Sequence, residues 1–260
     1  MIRELSKNTF SHLEELMDLN LRNNSLTSFD NIDLNDMESL DLSMNRLEDI
    51  TNTTFARVEG IESLNISSNV IRSISADAFA KMPSLRHLDM SWNQLFDPLD
   101  ADLFSGNFDL ETLSIAGNKI GNFSDDRGFF GKHLMLSLSN LKSLKMLDLS
   151  HNRIEELTED MFANNTKLTS LNLAGNPITV LPVAAFVPLT NLDYLDVSSC
   201  ELNFLSAVCN YVKNMLTLKA CHLAFHKKNI IALNFLPPIL PVKVKCMIRR
   251  LKLFIIISKV

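Results

Sequence analysis

The chain has 260 residues, 46% of them hydrophobic and seven of them glycine, a make-up that excludes wholesale disorder and collagen-like repeats. Its formal charge of −5 conceals two unlike parts: residues 1–201 hold all 30 acids and 15 of the bases, a net of −15, whereas residues 202–260 hold ten bases and no acid. No uncharged apolar run reaches the roughly 18 residues of a membrane span, no apolar leader core follows Met1, and Cys200, Cys209, Cys221 and Cys246 form no CxxC pair or zinc-like block.

The chain opens with Ile2, Leu5 and Phe10, whose spacing recurs as Ile178, Leu181 and Phe186. This places Met1 in the middle of a repeating unit and predicts that the natural N-terminus lies upstream. Nine copies of LxxLxLxxNxL follow in order, at 16–26, 37–47, 61–71, 85–95, 110–120, 144–154, 168–178, 192–202 and 213–223. The last is the weakest, with Lys213 at its first apolar position. The intervals are 21, 24, 24, 25, 34, 24, 24 and 21 residues. The long interval carries an insertion within 121–144, where Phe129 and Phe130 stand between Gly128 and Gly131. These aromatics mark either the tip of a loop on the binding side or an irregular repeat with its rings tucked inward. A second phased mark, Phe10, Phe55, Phe79, Phe104, Phe162 and Phe186, precedes most copies by six residues. Residues 224–260 keep no register, and Pro237, Pro238 and Pro241 break any single helix there. That tail reads as translated non-coding sequence, as a divergent end cap, or as a membrane-surface segment using Lys243, Lys245, Arg249, Arg250 and Lys252.

Each mark has a physical reason. The xxLxLxx core alternates with period two, so its leucines share one face of a short strand. Copies stacked about 4.8 Å apart build a parallel sheet spanning roughly 38 Å, with a continuous core that no single copy could bury. The phenylalanines form a second apolar row towards the opposite side. Asn24, Asn45, Asn69, Asn93, Asn118, Asn152 and Asn176 fall where the chain leaves the strand. An inward amide there both donates and accepts, so a column of them predicts a hydrogen-bond ladder, continued by Cys200 and Cys221 as small buried thiols.

These features resemble the typical extracellular class of animal leucine-rich repeats, which includes Toll-type receptors and Slit-type and chaoptin-type adhesion proteins. The resemblance covers about residues 2–223. It implies an α/β solenoid, a horseshoe with a concave parallel β-sheet and an irregular or short-helical convex side. Members of the class bind proteins, and sometimes lipids or other microbial products, on the concave face or its edges. The cysteine-bearing caps usual in the class are missing, which fits an interior fragment. The resemblance implies an extracellular or cell-surface ectodomain, with any membrane attachment through parts outside this chain and a protein ligand or co-receptor as partner. A cytosolic scaffold would need no such caps, but its usual repeats have 23 residues with Ile in place of Phe. A non-functional gene fragment is a further alternative.

The exposed strand columns are the candidate binding positions. One is acidic and amide-rich, with Asp41, Asp89, Asp148 and Asp196 in it; a neighbouring one varies more and includes His87, Met146 and Tyr194. The column before the ladder holds Met44, Trp92 and His151. Trp92, on the concave surface or its rim near His87 and Met44, is either an interface anchor or a ring packed over neighbouring surface. From these columns the expected ligand-binding residues are Met44, His87, Asp89, Trp92, Met146, His151 and Tyr194. Glycosylation sequons stand at Asn23, Asn52, Asn65, Asn122 and Asn164, close to the number that this composition yields by chance. No HExxH, GxSxG, GxGxxG or Walker motif occurs, and Cys221, His222 and His226 make a poor start to a metal site. The expectation is therefore a non-catalytic binder needing no metal or cofactor. The acidic repeats argue against a nucleic-acid partner.

Overall fold

The computed structural model describes residues 1–34, 36–58, 60–96, 99–121, 130–202 and 220–222. Nine strands form one parallel sheet in chain order: β1 (Asp18–Asn20), β2 (Ser39–Asp41), β4 (Ser63–Asn65), β6 (His87–Asp89), β7 (Thr112–Ser114), β8 (Met146–Asp148), β9 (Ser170–Asn172), β10 (Tyr194–Asp196) and β11 (Ala220–His222). Two further strands, β3 (Asp49–Ile50) and β5 (Ser73–Ile74), pair on the other side. With turns and the helices α1 (Phe130–Ser139) and α2 (Val183–Phe186), they make a convex side of mixed, short elements. The first eight sheet strands lie at the second leucine of their repeats, and pairing is leucine on leucine from Leu19↔Leu40 to Leu171↔Leu195.

The strand leucines enter one continuous core, in which Leu40, Leu64, Leu88, Leu113, Leu147, Leu171 and Leu195 are all buried. The phenylalanine row is stacked behind them. Ring centroids are 6.3 Å apart for Phe29–Phe55 and Phe55–Phe79, 6.2 Å for Phe79–Phe104 and 5.8 Å for Phe162–Phe186. Phe29 belongs to this row although it stands eight residues before Met37 rather than six, which hid it in the shortened first repeat. In the long interval Leu138 takes the phenylalanine's place, fully buried on α1 together with Leu134. Part of the insertion is therefore a helix packed into the core. Phe129 lies outside the described residues.

The asparagine column carries the turns. The Nδ2 group of Asn93 donates to the carbonyls of Ile66 (3.0 Å), Met90 (3.2 Å) and Ser91 (3.3 Å), and its Oδ1 accepts the Ile71 amide (3.1 Å). The same bonds recur at Asn45, Asn69, Asn118 and Asn152. Asn176 repeats them with Ile154, Leu149 and Leu173. Asn24 accepts the Ile2 amide at 2.8 Å, which puts Ile2 at its counterpart's position. Cys200 donates its thiol to the Leu173 carbonyl at 3.4 Å.

Cys221 does not continue this column. It pairs with Leu195 in the middle of β11, 26 residues further on, in place of the ladder position 21 residues past Cys200. Leu218, Cys221 and Leu223 repeat the spacing of Leu192, Leu195 and Val197, whereas the register ending on Cys221 puts charged Lys213 at an apolar position. Residues 223–260, with the whole tail, and Cys209 and Cys246 lie outside the described residues.

A second amide device was missed. Asn107 donates to the Phe79 and Met82 carbonyls at 3.2 and 2.8 Å, and Asn165 to those of Leu138 and Leu141, both at 3.0 Å. Each stands three residues after a row phenylalanine and is fully buried.

Asn93→Ala leaves the Ile66, Met90 and Ile71 backbone groups without their amide partner, and a loss of about 1–3 kcal/mol is expected in denaturant titration. An unchanged midpoint and slope would show that the amide carries no weight at that turn.

Candidate functional site

The surface that the repeats leave free is set by the strand alternation. Leucine side chains enter the core, so the residues between them face the concave side. There the chain forms a shallow concavity of about 500 Å³, lined by His87, Asp89, Thr112, Met146, Asp148 and Tyr194 among others. Met146 is 52% exposed, His87 is exposed, and Asp89 and Tyr194 are half-buried. The structure thus brings His87, Asp89, Met146 and Tyr194 to one concavity. The His87 imidazole Nδ1 and the Thr112 hydroxyl are hydrogen-bonded at 2.8 Å, and the Tyr194 hydroxyl donates to Asp196 Oδ2 at 3.1 Å.

The acidic column has a local structural task. Asp41, Asp89, Asp148 and Asp196 each accept, through Oδ1, the amide of the residue two further on, at 2.8 to 2.9 Å. Asn20, Asn65 and Asn172 do the same with an amide oxygen at 2.9, 3.0 and 3.1 Å. An amide oxygen thus serves this turn as a carboxylate oxygen does, and the turn needs no charge.

Met44, Trp92 and His151 stand outside the concavity, on the turn that closes each strand. This column is left-handed throughout, with φ of 58° at Asn23, 56° at Met44, 54° at Ser68, 55° at Trp92, 54° at His151 and 58° at Ser199. Each of these non-glycine residues resists that conformation by about 1–2 kcal/mol, and the adjoining ladder residue, an asparagine or, after Ser199, Cys200, holds the turn in it. Gly117 and Gly175 fill the same position with φ of 66° and 70°. A Cβ on Gly117 would lie 2.5 Å from the Trp92 ring, and one on Gly175 2.6 Å from His151 Nδ1. Each ring lies across the glycine of the next repeat. Trp92, 57% exposed, thereby meets His151 with ring centroids 5.9 Å apart and planes tilted by 30°. Its ring neighbour is His151, while His87 is engaged by Thr112 and Met44 stands two repeats away.

Of the sequons, Asn23, Asn52 and Asn164 are exposed, and Asn65 is half-buried within β4 on the concave face. Asn122 lies outside the described residues. Burial pushes the Cys200 thiol up to about 11, so it stays protonated far past a free thiol's range. The Lys145 ammonium holds Glu111 below the usual carboxylate value. Among the described residues no cluster of three His, Cys, Asp or Glu side chains could hold a metal, and no helix is long and apolar enough to cross a membrane.

The leucine-rich-repeat family profile matches residues 35–95 and 142–202. Those two segments match leucine-rich repeats, in keeping with the solenoid fold. The chain is 33% identical over 107 residues to the rat leucine-rich repeat-containing G-protein coupled receptor 5, covering 36% of this chain and 12% of that protein. It is 29% identical over 157 residues to Toll-like receptor 3 of Boselaphus tragocamelus, covering 52% of this chain and 17% of that one. It therefore spans a small part of the length of these relatives. Among solved structures, a TLR13–ssRNA13 complex superposes with a TM-score of 0.71 at 27% identity, covering 85% of this chain and 30% of that one. Human 5T4 (Wnt-activated inhibitory factor 1, trophoblast glycoprotein) gives 0.67 at 26% identity, covering 81% and 77%. The Toll–Spatzle complex of Drosophila gives 0.63 at 20% identity, a likeness of fold alone, covering 86% and 32%. The chain thus shares its leucine-rich-repeat solenoid fold with Toll-type receptor structures. Since one neighbour was solved with RNA, the expectation of no nucleic acid rests on this chain's own charge and not on its fold.

Two outcomes are expected. Gly117→Ala should cost about 2 kcal/mol or more, falling to about 1 kcal/mol in a Trp92→Ala background, because only the left-handed penalty then remains; equal costs in both backgrounds would show that the ring does not lie on Gly117. Cys200 should resist iodoacetamide at mildly alkaline pH in the folded chain and react once unfolded in urea, as read by mass spectrometry; rapid labelling of the folded chain would contradict its burial.

Proposed function

We propose that the repeats form a non-catalytic recognition module that binds a protein ligand or co-receptor on the concave face. The module would belong to a cell-surface receptor or adhesion protein, with the repeats outside the cell. The observation that carries this reading is the concavity around Met146, where an exposed methionine, His87 and Tyr194 stand among short polar side chains on a rigid sheet. An exposed apolar side chain ringed by polar groups is the composition of an interface centre. A preformed sheet lowers the ordering cost of association. The relatives named as receptors and as a glycoprotein support a cell-surface location. The Toll-like receptor matches favour a narrower version, in which the partner's binding is coupled to signalling through parts beyond this chain. Exposed Asn23, Asn52 and Asn164 are then the glycan acceptors to examine, with Asn65 and Asn122 as further sequons.

Placing a photoreactive benzoyl-phenylalanine at position 146 of the full chain, and separately at exposed Lys81 on the convex side, tests this directly. Irradiation with proteins secreted or displayed by the source cells should give discrete adducts from position 146 and none from position 81. Adducts from both positions alike, or none from 146, would remove the concave face as the binding surface.

A further inference from the structure

We propose that the concave face takes a cationic, arginine-bearing segment of its partner, with the Trp92–His151 pair as the stacking platform and the aspartate column as counter-charge. This rests on the concave-face reading above and names the chemistry that such a partner would bring.

Charge is the first support. Asp41, Asp89, Asp148 and Asp196 stand in one file along the sheet, and no lysine or arginine occupies that file or the His87–Met146–Tyr194 file beside it in the repeats up to 196. Arg86 and Lys145, each one residue before a strand of the neighbouring file, are paired across the repeats, with Glu62 at 3.8 Å and Glu111 at 2.7 Å. The face is therefore left with uncompensated negative charge, which attracts and steers a basic segment.

The second support is that the fold does not demand this charge. Asn20, Asn65 and Asn172 close the same turn with a neutral amide, so four carboxylates are an addition to what the backbone needs. One carboxylate oxygen of each serves the turn. The other accepts a single bond at Asp148, from Asn172, and at Asp196, from Tyr194, and none at Asp41 and Asp89 among the described residues. Each keeps lone pairs for an external donor.

The third is Trp92. Its ring packs against Gly117 and lies 5.9 Å from the His151 ring, which fixes it while leaving it 57% exposed. A fixed, half-exposed indole on the turn that follows the Asp89 strand suits a guanidinium better than an ammonium. The planar cation stacks on the ring and presents a fork of N–H donors to the acids.

Trp92 is the single tryptophan, so its emission reports from this place alone. The full chain is titrated with nona-arginine, nona-lysine and nona-glutamate peptides and with a single-stranded oligo-uridine, while acrylamide, an uncharged quencher, probes the ring. Nona-arginine should bind saturably, shield Trp92 from acrylamide, and bind about tenfold more weakly to the Asp89→Asn/Asp148→Asn variant. The native asparagines in the same column indicate that this variant keeps its turns. A control removing two charges from convex-side turns, Asp102→Asn/Asp160→Asn, should change affinity less than about twofold. Binding without shielding of Trp92, equal losses in both variants, no preference for arginine over lysine, or shielding by the oligo-uridine instead would each overturn the proposal. If position 146 still captures a protein while nona-arginine leaves Trp92 unshielded, the concave-face reading stands and the cationic one falls. If nona-arginine shields Trp92 but position 146 captures nothing, the proposed function fails at its own test.

Discussion

The structure depends on one interaction, the inward asparagine that ties each turn to the one before it. A chain leaving a strand at the edge of a core carries backbone groups that water cannot reach. The asparagine amide supplies two N–H donors and an oxygen in one small side chain. It donates to carbonyls of its own turn and the preceding repeat, and it accepts an amide from that preceding repeat. No repeat can then satisfy its turn alone, which makes the solenoid cooperative between neighbours. At Cys200 the thiol offers one weak donor, so the column continues in reduced form.

Two consequences follow from that tie. The turn is held in a left-handed conformation that bulky residues resist, and the residue before the ladder is thrust outward. This is how an indole comes to stand exposed at Trp92 without belonging to the core. The rows on the two sides of the core also differ in pitch. Strands stack about 4.8 Å apart, whereas the phenylalanine rings stand 6.2 to 6.3 Å apart in the first half of the array. The wider row must lie on the outside of an arc, so the sheet is the concave face. Curvature here is the difference between a hydrogen-bond spacing and an aromatic packing distance.

The concave face combines structural and free chemistry in the same side chains. Each column aspartate gives one oxygen to its turn and presents the other outward. Rigid backbone and solvated charge thus share one residue. Such a surface needs little ordering to bind, which is the advantage of a preformed sheet over loops. Asn172 orients the Asp148 carboxylate from the next repeat, and Tyr194 orients that of Asp196 from within the same strand.

The sequence by itself determined the repeat, its phase, the strand positions of the first eight copies, and the placement of leucine, phenylalanine and asparagine, because periodic burial leaves a periodic trace. It also placed Trp92 outside the core from its position in the repeat. What it left undecided had lost the period or depended on a neighbouring repeat. Phe29 was out of phase in a shortened copy, and Asn107 and Asn165 keyed on the phenylalanines rather than on the leucines. Leu138 replaced a phenylalanine through a helix that an inserted segment formed. The ninth strand shifted to Ala220–His222 because a charged residue made the first register costly. Tertiary structure alone decided that Trp92 meets His151 across Gly117. That contact joins residues 59 positions apart in the chain and requires the absence of a side chain between them, which stacking creates and no single repeat encodes.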